Sequence, residues 1–130
     1  MLFRSVCPSA DLDLALRAIA FSAIGTAGQR CTSLRRLFVH DSIYDTLVTR
    51  LRRAYASVTV GDPSRPETLV GPLIDLQAFD KMQKTLDAAR DAGGTVTGGT
   101  RHYVPGREGG HYVSPALVEM PSQEIGRAHV

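Results

Sequence analysis

The sequence is poor in the features that mark several specialised classes of protein. It has no tryptophan and only two cysteines, Cys7 and Cys31, which excludes a disulfide framework. Its apolar runs are far shorter than the ~20 residues that a membrane-spanning helix needs. The first residues also lack the apolar stretch of a signal peptide. We therefore expect a cytoplasmic protein that does not associate with membranes.

Charge of one sign is also scarce. Lysine and arginine total 15 and aspartate and glutamate 13, giving a net charge of +2. The densest basic pairs, Arg35-Arg36 and Arg52-Arg53, have no aromatic residues between them, whereas a nucleic-acid surface normally needs a concentrated basic patch. The histidines do not have the spacing of metal ligands. We expect neither a nucleic-acid partner nor a metal site.

The apolar pattern that is present predicts an α/β fold with a parallel-type sheet. The residues that recur at helical or strand spacing predict helices over 10–24, 43–58 and 77–92, and strands over 34–40, 95–97 and 112–120, the last interrupted at Pro115. The continuous apolar centre of the strand over 34–40 indicates burial on both faces. Ser9 is the expected cap of the first helix and Asp41-Ser42 of the second. Because these strands are few, the sheet is expected to be incomplete.

One segment carries a candidate for chemistry, Gly25-Thr-Ala-Gly-Gln-Arg-Cys31-Thr, between the first helix and the first predicted strand. Small residues let backbone approach a ligand closely, and a loop held by a buried strand can position a reactive group. Positive charge from Arg30, Arg35 and Arg36 favours the thiolate form of a cysteine. Two interpretations follow from the residues alone: Cys31 is a nucleophile, or it is a buried structural thiol.

Several landmarks in one order resemble the aldehyde dehydrogenase superfamily. The resemblance covers nearly the whole chain and rests on four further segments besides Gly28-Gln-Arg-Cys31: Ala10-Asp-Leu-Asp13, Val60-Gly-Asp-Pro63, Gly71-Pro-Leu-Ile74 and Tyr112-Val-Ser-Pro-Ala116. Ala116 stands where the family usually has threonine. The Gly25-Thr-Ala lead-in and Arg35-Arg-Leu-Phe38 are most similar to the α-aminoadipic semialdehyde dehydrogenases, also called antiquitins or piperideine-6-carboxylate dehydrogenases.

The resemblance implies a function and a role for three residues. The parent protein would oxidise an aldehyde, α-aminoadipic semialdehyde in this subfamily, with NAD or NADP. Cys31 would be the catalytic nucleophile, forming a thiohemiacetal and then a thioester. Arg30 would bind the substrate carboxylate, with a structural or solvated arginine as the alternative. Lys81 would lie near the cofactor ribose, although most helical lysines are simply solvated. The parent would be a homo-oligomer.

The resemblance also implies that the chain is a truncated fragment. Residues 6–123 would form part of the catalytic domain. Residues 1–5 and 124–130 back-translate into strings similar to short-read sequencing adapters, which predicts non-native ends. The general-base glutamate and the Rossmann glycines would lie outside the chain. Two alternatives stay open: an inactive fragment or non-catalytic interaction piece, and a CoA-acylating semialdehyde dehydrogenase.

Overall fold

A computed structural model describes residues 2–122 as an α/β arrangement of six strands and three helices. In chain order these are β1 (Leu2–Val6), α1 (Leu12–Ile24), β2 (Leu34–Val39), α2 (Asp41–Ala56), α3 (Leu76–Asp91), β3 (Thr95–Gly98), β4 (Arg101–His102), β5 (Tyr112–Val113) and β6 (Ala116–Glu119). The predicted helices and strands are all present. β1 and the short β4 were not predicted. No helix in the described range has the length and apolar character that a bilayer crossing requires.

The first βαβ unit forms the only parallel strand pair among residues 2–122. β1 pairs with β2 in a register that runs from Phe3 opposite Arg36 to Val6 opposite Val39, and α1 connects the two strands. This confirms the predicted parallel pairing. Burial on both faces of β2 was wrong: Val39 packs against the core, but Phe38, on the opposite face, is 40% exposed. Two strands cannot enclose that face.

The core lies where α1 and α2 pack against this strand pair. Its buried members are Val6, Ile19, Leu34, Leu47 and Leu51, of which Leu47 and Leu51 are 0% exposed. The predicted apolar face of α2 is confirmed, because Ile43 and Tyr55 pack against the same cluster. The connection between α1 and β2 therefore starts and ends on core elements, which gives the loop that contains Cys31 two anchored ends.

The helix caps differ from the sequence prediction by one or two residues. Asp11, not Ser9, caps α1: its Oδ1 accepts hydrogen bonds from the backbone N–H groups of Asp13 at 2.9 Å and Leu14 at 3.1 Å. His40 caps α2, since its Nδ1 accepts from the Ser42 N–H at 3.2 Å, and Asp41 is already helical. In both cases the capping atom is the side-chain acceptor that reaches the free N–H groups of the first turn.

The C-terminal third of the described chain contains two antiparallel pairs, β3 with β6 and β4 with β5. Glu119 in β6 joins this part to α2, because its carboxylate accepts a hydrogen bond from Tyr44 Oη at 3.0 Å and forms an ion pair with Arg52. Burial, with the hydrogen bond to Glu119, raises the pKa of Tyr44. These contacts hold β6 against the helix layer.

Two glycines with nearly the same backbone angle provide a matched test of this packing. Gly98 has φ +79° and a Cβ there would lie 2.1 Å from the Pro115 carbonyl oxygen, whereas Gly106 has φ +78° and nothing within 4 Å. We expect Gly98→Ala to lower the free energy of unfolding by about 2 kcal/mol more than Gly106→Ala, because only Gly98→Ala adds a clash to the left-handed strain. Urea denaturation followed by circular dichroism measures both. Equal losses would contradict the described pairing of β3 with β6.

Candidate active site

Cys31 lies in an exposed turn between α1 and β2. The Ser33 N–H donates to the Arg30 carbonyl oxygen at 3.1 Å, and the Arg30 N–H donates to Ser33 Oγ at 3.1 Å. These two bonds close a turn with Cys31 and Thr32 at its centre. The Cys31 thiol is exposed, so its interpretation as a buried structural thiol was wrong. Within residues 2–122, no acceptor bonds the Cys31 backbone N–H, which leaves both thiol and amide open to a ligand.

Cys7 is the second free thiol, and it is also exposed. Cys7 follows the C-terminal end of β1, whereas Cys31 precedes the N-terminal end of β2. In a parallel pair these two ends lie at opposite edges, separated by the length of the strands. The two thiols therefore lie apart, and Cys7 provides an internal control for experiments on Cys31.

A left-handed turn precedes the cysteine. Thr26, Ala27 and Gly28 have φ values of +57°, +53° and +68°. Glycine adopts this conformation freely, but Thr26 and Ala27 do so at a cost of about 1–2 kcal/mol each. Such strain persists only where surrounding contacts hold it. The sequence predicted a glycine-containing loop here, but no residue type signalled that threonine and alanine would be left-handed.

Gln29 joins the cysteine turn to a distant segment of the chain. Its Oε1 accepts a hydrogen bond from the Ile74 N–H at 2.9 Å. Its Nε2 donates to the carbonyl oxygens of Pro72 at 3.3 Å and Thr26 at 3.2 Å. We call these three bonds the Gln29 tether. It brings the segment from Gly71 to Ile74, one of the landmarks of the sequence, beside the turn that holds Cys31.

Arg30 is folded back on the C-terminal end of α1. Its Nη2 donates to the Phe21 carbonyl oxygen at 2.7 Å, and its guanidinium carbon lies 4.8 Å from the centre of the Phe21 ring. A positive charge is favourable at a helix C-terminus and over an aromatic face. The position requires glycine at residue 25, where a Cβ would lie 2.5 Å from Arg30 Nη2. Its Nε is buried without a partner among the described residues.

Arg35, at the start of β2, bonds the loop that contains Cys31. It donates a hydrogen bond to the carbonyl oxygen of Gly28, which joins β2 to the left-handed turn. A Cβ at Gly28 would lie 2.8 Å from Arg35 Nη1, so glycine satisfies both the backbone angle and the space. Arg30 and Arg35 flank Cys31 in the sequence, and each bonds a backbone carbonyl oxygen of the segment that precedes it.

Lys81 lies on an exposed groove along the first turns of α3. The groove is lined by Ile74, Asp75, Leu76, Gln77, Ala78, Asp80, Lys81 and Lys84. Ile74 lines this groove and also donates its N–H to Gln29. The Gln29 tether therefore connects the groove that contains Lys81 to the turn that contains Cys31. Across residues 2–122, no three His, Cys, Asp or Glu side chains are grouped as metal ligands.

The landmark that contains Asp62 shapes a loop. Asp62 Oδ1 accepts hydrogen bonds from the Ser64 N–H at 2.9 Å and Ser64 Oγ at 2.8 Å, and Oδ2 accepts one from Arg107 Nε at 3.1 Å. The bonds from Ser64 and the nearby Arg107 charge lower the pKa of Asp62. Asp62 therefore organises the connection from α2 to the Gly71–Ile74 segment.

A family comparison accounts for the landmarks around this turn. The sequence profile of the aldehyde dehydrogenase family matches residues 4–128. The chain belongs to the aldehyde dehydrogenase family. This confirms the recognition that was made from the ordered landmarks.

Two relatives place this aldehyde dehydrogenase chain beside family 7. The chain is 46% identical over 110 residues to the α-aminoadipic semialdehyde dehydrogenase of Rattus norvegicus, covering 84% of this chain and 20% of the relative. It is 41% identical over 118 residues to aldehyde dehydrogenase family 7 member A1 of Brassica napus, covering 90% of this chain and 23% of the relative. The chain thus spans about one fifth of the length of these relatives.

A solved structure supports the same assignment of the fold. The 3,6-anhydro-L-galactose dehydrogenase in complex with NAP superposes with a TM-score of 0.84 at 30% sequence identity, covering 89% of this chain and 24% of that one. The residues described here therefore adopt part of the α/β fold of an aldehyde dehydrogenase, which confirms the predicted fold class.

Proposed function

We propose that the protein from which this chain comes oxidises an aldehyde to a carboxylic acid, with Cys31 as the nucleophile. The observation that carries the proposal is the exposed thiol of Cys31, at the centre of a hydrogen-bonded turn, within a chain of this family. A nucleophile has to reach a carbonyl carbon, so an accessible and oriented sulfur is the first requirement.

The residues of the turn support one chemical sequence. The Cys31 thiolate attacks the aldehyde carbon, a carbon–sulfur bond forms, and the carbonyl electron pair moves to oxygen, giving a thiohemiacetal anion. The Cys31 backbone N–H, which has no acceptor within the described chain, is available to donate to that oxygen. Loss of hydride from the carbon leaves a thioester on Cys31, and water releases the acid and restores the thiol.

NAD or NADP is the proposed cofactor, and when bound it accepts the hydride. The exposed ammonium of Lys81 suits a ribose hydroxyl, because it lines an open groove and is a flexible donor. The groove also connects through Ile74 to the cysteine turn. These two observations support Lys81 as a cofactor contact.

We propose α-aminoadipic semialdehyde as the substrate and Arg30 as the residue that binds its carboxylate. The similarity to the rat enzyme of that name supports this choice. Arg30 immediately precedes Cys31, and of its five N–H donors the structure describes one bond, to the Phe21 carbonyl. A guanidinium bonded to the Phe21 carbonyl oxygen and stacked on the Phe21 ring, in the space that Gly25 leaves, is already ordered for a carboxylate.

The proposed function is tested on the complete parent gene, recovered from genomic DNA. The purified product is incubated with α-aminoadipic semialdehyde and either NAD or NADP, with and without CoA, and both reduced nicotinamide and the product are measured. Free α-aminoadipic acid supports the proposal, an acyl-CoA product identifies the CoA-acylating alternative, and no oxidation with either nucleotide contradicts it. The 130-residue chain is the negative control, for which we expect no turnover.

Replacing Arg30 tests the substrate assignment. In the parent enzyme, Arg30→Gln is expected to raise KM for the carboxylate-bearing semialdehyde by roughly 10- to 100-fold, because a charge-assisted bond is lost. KM for an uncharged aliphatic aldehyde of similar length should change far less. Arg17→Gln, which removes an exposed arginine on α1, is the matched control. An equal change for both aldehydes would mean that Arg30 acts only on the turn.

A further inference from the structure

We infer that Gln29 is a positioning residue, which sets the conformation of the Cys31 turn according to the state of the Gly71–Ile74 segment. The inference deepens the proposed function, on which it rests for the importance of Cys31. The bonds themselves involve no substrate or cofactor. Gln29 contacts neither reacting atom, so its effect is transmitted through the backbone that leads to Cys31.

The first step is that the Gln29 side chain uses its full planar amide. One end accepts from Ile74 N–H at 2.9 Å, and the other donates to Pro72 and Thr26 carbonyl oxygens at 3.3 and 3.2 Å. An amide that accepts and donates to the same segment fixes both its distance and its orientation. Glutamate retains only the acceptor when ionised, and alanine retains neither.

The second step is that the tether ends on a segment with its own fixed position. Leu73, between the two tethered residues, donates its N–H to the His111 carbonyl oxygen at 2.9 Å and is buried. Asp75 then caps α3 by accepting from the Ala78 N–H at 2.7 Å. The Gly71–Ile74 segment is therefore tied to the C-terminal strands and to the start of α3.

The third step concerns what the tether restrains on the cysteine side. Gln29 donates its backbone N–H to the Thr26 carbonyl oxygen at 3.0 Å, and the adjacent Arg30 and Ser33 close the Cys31 turn. Thr26 and Ala27 hold strained left-handed angles that need outside support. The bond from Gln29 Nε2 to the Thr26 carbonyl oxygen supports these left-handed residues. The bonds to Pro72 and Ile74 anchor the Gln29 side chain.

A consequence is that the groove that contains Lys81 and the turn that contains Cys31 are coupled. Ile74 is 84% exposed and lines the groove that contains Lys81. A displacement of Ile74 by anything bound in that groove is passed to Gln29, which lies two positions before Cys31. Coupling of this kind requires contiguous contacts with a defined geometry, which the tether provides.

The test measures order at the cysteine turn in the full 130-residue chain. Gln29→Ala is expected to speed hydrogen exchange of the Ser33 amide by roughly two- to tenfold, since bonds of ordinary strength are lost. Gln83→Ala, which removes the hydrogen bond from Gln83 Nε2 to the Gly99 carbonyl oxygen and does not alter the groove or the cysteine turn, should leave it unchanged. Gln29→Glu, which keeps the acceptor for Ile74 but sets a carboxylate oxygen against the Pro72 and Thr26 carbonyl oxygens, should also speed exchange. Unchanged Ser33 exchange in Gln29→Ala would overturn the inference.

A nitroxide label separates this positioning from a general loss of stability. With the label on Cys31 in a Cys7→Ser chain, Gln29→Ala should make the label move faster. With the label on Cys7 in a Cys31→Ser chain, it should have no effect. Equal changes at both thiols would indicate general loosening and overturn the inference. Neither readout needs dehydrogenase turnover, so failure here is distinct from failure of the proposed function.

The coupling between the groove and the cysteine turn is tested by removing the backbone N–H group of Ile74. Ile74→Pro deletes the donor to Gln29 Oε1 without altering residues 25–33. Ile74→Pro should speed hydrogen exchange of the Ser33 amide in the chain that retains Gln29. In a Gln29→Ala chain it should not increase that exchange rate any further. An equal effect in both backgrounds would show that Gln29 does not transmit the change. Unaltered exchange of the Leu47 and Leu51 amides confirms that each variant is folded.

Discussion

Replacing Cys31 by serine in the complete parent enzyme is expected to lower kcat for aldehyde oxidation by roughly a thousandfold or more, because a hydroxyl is a far weaker nucleophile than a thiolate. The exchange alters one atom of an exposed side chain at the centre of the Arg30–Ser33 turn, so the fold should be kept. Formation of reduced nicotinamide under saturating substrate measures the loss. Aldehyde binding, measured separately, should weaken much less than turnover.

Cys7 makes this experiment specific. It is the other exposed thiol of the chain, it lies at the opposite edge of the β1–β2 pair, and Cys7→Ser should leave kcat and KM unchanged. Iodoacetamide provides an independent check, because loss of activity should follow alkylation of Cys31 and not of Cys7. If Cys31→Ser retains full turnover, or if inactivation follows Cys7, the nucleophile assignment is wrong.

The largest effect on stability is expected for the core of α2. Leu51→Ala removes three buried carbon atoms from a side chain that is 0% exposed, in a cluster shared with Leu47, Val6 and Ile19. We expect the free energy of unfolding to fall by about 3 kcal/mol, which combines the lost burial with the cavity that remains. Urea denaturation followed by far-ultraviolet circular dichroism is the suitable measurement, because the chain has no tryptophan to report fluorescence.

A leucine of the neighbouring helix provides the control. Leu14 lies on α1 and is 66% exposed, so Leu14→Ala should change the free energy of unfolding by less than about 0.5 kcal/mol. The midpoint should move for Leu51→Ala while the denaturant slope stays constant. Similar losses for the two variants would contradict the placement of Leu51 in the core.

The elements of the fold were predictable where local pattern and tertiary packing agree. Apolar spacing located α1, α2, α3 and β2, and it identified the face of α2 that packs on the core. It did not predict the burial of β2, because enclosure of both faces depends on strands beyond the pair. It also missed β1, because residues 1–5 were interpreted as a non-native end of the chain and four of them belong to this strand.

The site was predictable at Cys31 and less so around it. A lone cysteine in a glycine-containing loop points to a reactive position, and its exposure agrees with that expectation. The roles of Gln29 and Arg30 depend on partners that sequence does not bring together: Ile74 lies 45 residues from Gln29, and the Phe21 carbonyl nine residues from Arg30. The assigned functions of Cys31, Arg30 and Lys81 stay predictions until the variants are measured.

The length of chain enclosed by the tether has a consequence for how the protein is made. Its bonds to Pro72 and Ile74 close loops of 43 and 45 residues. At a synthesis rate of 5–20 residues per second, the ribosome adds Ile74 roughly 2 to 9 seconds after Gln29. The Cys31 turn is therefore synthesised before the segment that restrains it, and the tether can form only after residues 72–74 have also left the ribosome.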